Sequence, residues 1–199
     1  MKRKRALYVV AIAVGIPLLW YVWAWVTYPS DRTVEGAYLR VMTAVNRGKP
    51  TEFFAYIETR AQHACYTIQK YRKQARELVL EAYPEPERSK VAARYDSIAR
   101  APDGADVFAL YAERERWLDR LRRDLSGIKR VEVVGERATV ETVRGTRYPF
   151  RRRDNGIWGL TLFTPTLVAE AERAARDFEL IEQAAKDYER VRRTQLPKP

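Results

Sequence analysis

One cysteine and one histidine among 199 residues remove several chemistries before any pattern is read. Cys65 has no second thiol, so an intramolecular disulfide, a CxxC redox pair and a lipobox are excluded. An unpaired cysteine on a helical stretch reads as a small buried residue. His63 has Thr59, Arg60, Tyr66 and Thr67 three and four positions away, so no carboxylate or second imidazole completes a helix metal site. There is no P-loop, no glycine-rich phosphate fingerprint and no serine elbow. No acid falls on the inward phase of a strand, where a general base would have to stand. The sequence assigns no catalytic residue, no metal and no cofactor, and the reading is of a non-enzymatic chain.

Charge is missing from residues 6–28, ALYVVAIAVGIPLLWYVWAWVTY, directly behind Lys2, Arg3, Lys4 and Arg5. As a helix this run spans roughly 35 Å, enough for a hydrocarbon layer of about 30 Å with some tilt. It opens at Ala6, and Trp20, Tyr21, Trp23, Trp25 and Tyr28 crowd its far end, where amphipathic rings settle among headgroups. The four cations hold the N-terminus inside, which predicts a single-pass protein of the cell's inner (plasma) membrane with residues 29–199 outside the cytoplasm. A cleaved signal peptide is the rival. The run exceeds the ~7–15 residues of a usual signal core, and no A-x-A site follows it.

Outside the span the helical period comes first. Ala37, Tyr38, Val41, Met42 and Val45 form one amphipathic stripe, and Phe53, Phe54, Tyr56 and Ile57 mark a short helix after Pro50. Residues 59–83 read as a long helix with a seam of Ala64, Ile68, Tyr71, Ala75, Leu78 and Ala82, ended by the prolines at 84 and 86. Residues 89–99 read as another helix, and residues 106–125 as one more, closing at Ser126 and Gly127. From Ile128 the period switches to two. Val131 and Val133, then Ala138, Val140 and Thr142, then Tyr148 and Phe150, then Trp158, Leu160 and Leu162 alternate with polar residues or glycine. Asp154, Asn155 and Gly156 give the strongest turn signal among four strands of an antiparallel meander. The fold class expected is α+β: a transmembrane helix, helices packed on a four-stranded sheet, and a long C-terminal helix.

That last helix, 164–194, carries Leu167, Ala171, Ala174, Phe178, Ile181, Ala185 and Tyr188 in steps of four and three. At about 42 Å it outreaches a four-stranded sheet of roughly 19 Å, so part of its stripe needs another partner. The partner is either the helix 59–83 of the same chain or a helix of another chain. Residues 195–199 read as an unstructured tail.

The helix GAYLRVMTAVNRGKPTEFFAYI, the long helix after it and the late hairpins ERATVETVRGTRYPFRRRDNGIWGL together resemble the NTF2-like superfamily, the small extracytoplasmic DUF4878-like members in particular. The resemblance covers about residues 33–83 and 128–163. It makes residues 84–127 a helical insertion in a domain of residues 29–163, and leaves the heptad-bearing helix outside the usual domain. It implies a curved sheet wrapped on helices around a cavity, which places Tyr66, Tyr148, Phe150, Arg152 and Trp158 as a candidate pocket for a small molecule, with enzymatic relatives as an alternative.

Of the formal net charge of +11, the external excess falls in residues 114–153, which hold 13 basic and 6 acidic side chains. Strand phase puts Arg147, Arg151 and Arg153 on the outer face as a candidate contact surface, and Arg152 on the inner one. Such a face suits anionic lipid, an acidic partner or, least well, nucleic acid, since no aromatic rings interleave with the arginines. Interspersed acids make a solvated surface the plain alternative. The function expected is a membrane-anchored extracytoplasmic binding or scaffold domain, a subunit of an envelope assembly, meeting another protein or a second copy through its C-terminal helix.

Overall fold

The computed structural model describes residues 29–195. The basic tail 1–5, the span expected at 6–28 with Ala6, Trp20, Trp23, Trp25 and Tyr28, and residues 196–199 lie outside them. Among the described residues no helix is long and apolar enough to cross a membrane.

Helix α1 (Val34–Arg47) starts where the Thr33 hydroxyl accepts the Gly36 N–H at 3.1 Å, a side-chain cap for one of the four unpaired donors of a helix start. Its buried face, Val34, Ala37, Tyr38, Val41 and Val45, lies on the sheet. Helix α2 (Pro50–Phe53) runs into a 3-10 turn (Phe54–Tyr56), and α3 (Thr59–Ala82) follows. Next come α4 (Glu87–Ala99), α5 (Gly104–Arg114) and α6 (Trp117–Asp124). Four strands, β1 (Ile128–Val134), β2 (Arg137–Thr142), β3 (Arg147–Arg152) and β4 (Trp158–Leu160), pair antiparallel in sequence order. Helix α7 (Thr164–Gln195) ends the described chain. The α+β class, the meander and the long last helix are as the periodicity predicts.

Two elements differ from their sequence readings. The helix expected over 106–125 is two helices, α5 and α6, because Arg116 takes a left-handed φ of 54° between them. Its guanidinium pairs with Asp119 at 3.1 Å. In β1 a register shift between Ile128 and Arg130 disturbs the alternation, and Val133, expected on the buried phase, is 55% exposed. Leu162 lies beyond β4 and is also exposed.

The turn from β3 to β4 has the backbone its sequence calls for. Gly156 adopts φ of 83°, open to glycine at little cost, and the Arg153 N–H donates to the Ile157 carbonyl at 2.9 Å. Beyond the turn, β4 runs beside the segment that leads into α3. Ile57 bridges Leu160 in parallel, the Glu58 N–H donates to the Leu160 carbonyl at 3.0 Å, and a Cβ on Gly159 would stand 2.7 Å from the Ile57 oxygen. Only glycine permits that approach.

Two chain segments thus leave one sheet edge in the same direction, and α3 and α7 run parallel. Tyr71 meets Phe178 at 5.7 Å between ring centroids, Arg72 pairs with Asp177 at 2.5 Å, Tyr83 meets Tyr188 at 4.9 Å, and Arg192 donates to the Ala82 carbonyl at 3.1 Å. The seam Leu167, Ala171, Ala174, Phe178, Ile181, Ala185 and Tyr188 therefore packs within its own chain, with Leu167, Ala174 and Ala185 among the buried members. Helix α4 folds back on α3 through Arg76 and Asp96, 2.8 Å apart. The interior divides in two. One core joins α1, α2, α5, α6, the sheet and the first turns of α3 and α7; the other joins Ala75, Val79, Ala82 and Tyr83 of α3 and its end with Ala92 of α4 and Ile181 and Ala185 of α7.

Glu58 fastens the start of the parallel pair. Its carboxylate is buried, accepts the Thr164 hydroxyl at 2.6 Å and faces Arg151 at 3.4 Å. Glu58→Ala leaves both donors without that acceptor and is expected to lower unfolding stability by about 2–3 kcal/mol, as losing a buried charge-assisted bond does. Urea unfolding followed by near-UV circular dichroism measures it; a loss within about 0.5 kcal/mol, the size of an ordinary surface change, contradicts the fastening role.

Candidate functional site

The hollow with the clearest chemical character lies between α6, β3 and the start of α7. It has a volume of about 390 Å³ and a floor of Trp117, Leu121, Tyr148, Leu162 and Phe163. Its polar lining alternates in sign, with Glu115 and Asp124 against Arg120 and Arg147. Helix α6 supplies Trp117 and Leu121 from one face, which follows from their spacing of four. Strand β3 supplies Tyr148 by pleat.

Tyr148 is the unusual member. Its ring is buried against Tyr38, 5.8 Å between centroids, yet its hydroxyl has no hydrogen-bond partner. The neighbouring Tyr38 hydroxyl, by contrast, donates to the Ser126 carbonyl at 2.6 Å. Burial, then the nearby Tyr38 and Asp124, push the Tyr148 hydroxyl well above the usual phenol range. It stays protonated and is a donor without an acceptor among the described residues. Burial also raises Tyr38, although its bond to Ser126 offsets part of this.

A second, shallower groove of about 510 Å³ runs past Gly48, Ala101, Leu110 and Leu118. Its arginines are held by acids: Arg100 by Asp96 at 2.9 Å, Arg116 by Asp119 at 3.1 Å, and Arg122 within 3.9 Å of Asp119. Asp106 and Glu113 are its remaining charged lining residues.

The five residues expected to share a pocket do not do so. Tyr148, Phe150 and Trp158 are buried as predicted, and the Trp158 indole donates to the Arg32 carbonyl at 3.1 Å. Tyr66 is 48% exposed and leans on Phe54, 6.0 Å between centroids, beside Gly104. Arg152, expected inward, is exposed. Neither lines the hollow that contains Tyr148. Arg152 is the last residue of β3, still paired with Trp158, and phase alone does not bury a charged side chain that can reach solvent at the strand's end.

The outer arginines are a second correction. Arg147 is exposed and lies 3.7 Å from Glu141. Arg151 faces Glu58, and Arg153 reaches back over the α3 start, donating to Thr59 Oγ1 at 3.2 Å, to Gln62 Oε1 at 2.7 Å and to the Ala55 carbonyl. Burial pulls the Arg153 guanidinium below its ordinary value. Two of the three members of the expected contact face are therefore spent on internal bonds.

Cys65 is fully buried, and burial pushes its thiol up to about 12. His63 is exposed, and no group of three His, Cys, Asp or Glu able to hold a metal occurs among the described residues. Sequence reasoning missed Glu58, Asp124 and Trp117 as site or junction residues. Only Trp117 carried a signal, as an aromatic on a helical stripe. No family model, curated protein or solved structure matches this chain.

Tyr148→Phe removes a donor that the chain leaves unbonded and is expected to leave stability unchanged or to raise it by up to about 1 kcal/mol. A loss above that amount in urea unfolding would mean that the hydroxyl has a strong partner. The buried phenols and thiol bind their protons more tightly folded than unfolded. Stability conferred by the neutral forms is full below the ordinary thiol value of about 8.5 and falls as pH climbs toward 12, where Cys65 and Tyr111 titrate in the fold. A denaturation midpoint that stays level from pH 8 to pH 11 would contradict this.

Proposed function

We propose that this chain is a single-pass, N-in membrane protein whose extracytoplasmic domain works by binding, as a subunit or scaffold of an envelope assembly. The observation that carries this reading is the uncharged run 6–28 behind four cations, meeting a fold that begins at once. Arg40 donates to the Pro29 carbonyl at 2.8 Å, and the Thr33 N–H to the Ser30 carbonyl at 3.0 Å. With no free linker, the domain sits directly against the bilayer surface. The interior beneath it is filled by rings, Phe53, Phe108, Trp117 and Phe163 stacking at 4.5–6.2 Å, which leaves surfaces as the working parts. The one buried acid among the described residues, Glu58, is held by Thr164 and Arg151 and is no free base. The helix order ahead of an antiparallel meander is compatible with an NTF2-like domain.

A second reading, a small-molecule site, is favoured by the hollow of 390 Å³ with an apolar floor, walled in part by Tyr148. Mass spectrometry of an organic extract of the purified full chain distinguishes the two. A stoichiometric compound that is lost on Tyr148→Phe supports the site, and its absence dismisses it.

For the leading reading, Leu180→Cys in a Cys65→Ala background is expected to react with a membrane-impermeant maleimide in intact cells, since Leu180 is exposed on α7. Lys4→Cys in the same background should react only after lysis. The intact mass should retain residues 6–28. Protection of position 180 until lysis, or a mass lacking the run, would overturn the reading.

A further inference from the structure

Strand β1 is an open edge of the sheet. Its inner side pairs with β2 in regular register from Arg130 to Val134, beyond the shift after Ile128, and no strand among the described residues pairs with its other side. In an antiparallel ladder alternate residues turn their N–H and C=O groups away from the partner, so β1 presents a row of unpaired donors and acceptors. Helix α1, which covers the strands behind it, does not reach the far end of β1, where Val133 is 55% and Val134 78% exposed. The edge is thus both polar in its backbone and greasy in its side chains, which is what an added strand covers.

We infer that this edge pairs antiparallel with β1 of a second copy, centred on Val131. The charge order selects that occupant. Antiparallel self-pairing about Val131 sets Arg130 opposite Glu132 of the other copy, and by symmetry the same contact forms twice. Both side chains are exposed, 66% and 41%, and they already lie on one face of the strand, 2.7 Å apart as a pair along it. Exchanging that local pair for two cross-strand pairs loses no ion contact and gains the backbone ladder. Parallel pairing in register would instead set Arg130 on Arg130 and Glu132 on Glu132, a like-charge penalty. Charged residues on an edge ordinarily discourage pairing; here their order disfavours centring on Arg130 or Glu132, which would set like charges together, and favours centring on Val131 between them.

The symmetry agrees with a membrane-held chain. The two-fold axis of a continuous antiparallel sheet stands normal to it, so both copies keep the same face on the same side, and both Pro29 residues stay level. Two spans could therefore enter one bilayer from the paired domains. The inference goes beyond the binding role proposed above and stands on β1 alone.

The test uses the full chain in mild detergent, sized by light scattering over a dilution series. The wild type is expected to be a dimer. Arg130→Glu and Glu132→Arg should each raise the dissociation constant at least tenfold, and the double exchange R130E/E132R should return it to within about threefold of the wild type. Val131→Cys in a Cys65→Ala background should oxidise to a covalent dimer, because residues facing each other across a bonded pair lie about 5.5 Å apart at Cα. Both charges are on the surface, so the variants keep the wild-type circular dichroism; should one not, the neutral R130Q and E132Q are expected to weaken the dimer in the same direction. A wild type that is monomeric across the series overturns the inference. So does a dimer indifferent to both single reversals, or a double exchange as weak as the singles. None of these results bears on the maleimide topology result, which tests the anchored reading separately.

Discussion

Everything in this architecture depends on the place where Ile57 and Glu58 run beside Leu160. Because the bridge is parallel, the two longest helices must start together and travel together. Parallel helices set like ends of their dipoles side by side, an arrangement that antiparallel neighbours avoid. The structure answers at both ends. Glu58 puts a buried carboxylate at the positive ends of α3 and α7, where it also accepts from Thr164. At the other end Arg192 brings a cation to the Ala82 carbonyl, the last residue of α3. The seam of small residues between them, Ala75, Ala82, Ala171, Ala174 and Ala185, lets the backbones approach closely, and the larger Ile181 and Phe178 fill the gaps near the end of the sheet domain.

This geometry also divides the molecule. The sheet core holds most of the fully buried rings, while the outer core buries one ring, Tyr83, among alanines, with Tyr95, Phe178 and Tyr188 only partly buried against it. Fully burying a large apolar side chain stabilises by about 1.5–3 kcal/mol, so the outer bundle gains less per residue and leans on polar fasteners. Arg72 and Asp177 sit across the seam, with Arg72 also over the Tyr95 ring at 5.2 Å, and Arg76 ties α3 to Asp96. A region held this way opens before the sheet core does.

How much of this was legible depended on whether a pattern had one reading. The period of two from Ile128, the Asn-Gly turn and the heptads of α7 have one physical cause each, and the structure has those elements within a residue or two. The heptads could not say whose helix they faced, because an apolar seam is the same surface toward either chain; the parallel bridge at Leu160 decides it. The apolar stripe steps by six from Tyr111 to Trp117 across Glu113, Arg114, Glu115 and Arg116, so the break at Arg116 was marked in the pattern by a lapse that a single-helix reading ran across. Glu58 lies on no periodic element, so phase arguments passed over the one acid that matters most to the packing. Arg152 failed for the opposite reason: it is the last residue of β3, still paired with Trp158, where phase alone does not bury a charged side chain that can reach solvent at the strand's end.

The arginines supply the last step. A block this basic suggests an outward field, and nearly all its cations are exposed, yet four of its guanidinium groups are bonded to carbonyls at or near helix ends. Arg122 donates to the Val45 carbonyl near the end of α1 at 3.1 Å, Arg120 to Glu115 after α5 at 2.7 Å, Arg144 to Arg123 near the end of α6, and Arg153 to Ala55 in the 3-10 turn. Outside the block, Arg88 donates to Tyr83 after α3 at 2.8 Å. The last carbonyls of a helix have no partners within it, and a planar fork with five donors on a long stem reaches them where a lysine ammonium would stay hydrated. Five of the chain's arginines are thus accounted for by carbonyls at or near helix ends that need donors. Recognition of an anion would need guanidinium groups free of such duties. The uncovered edge of β1 is a surface where charge order and an open backbone ladder coincide.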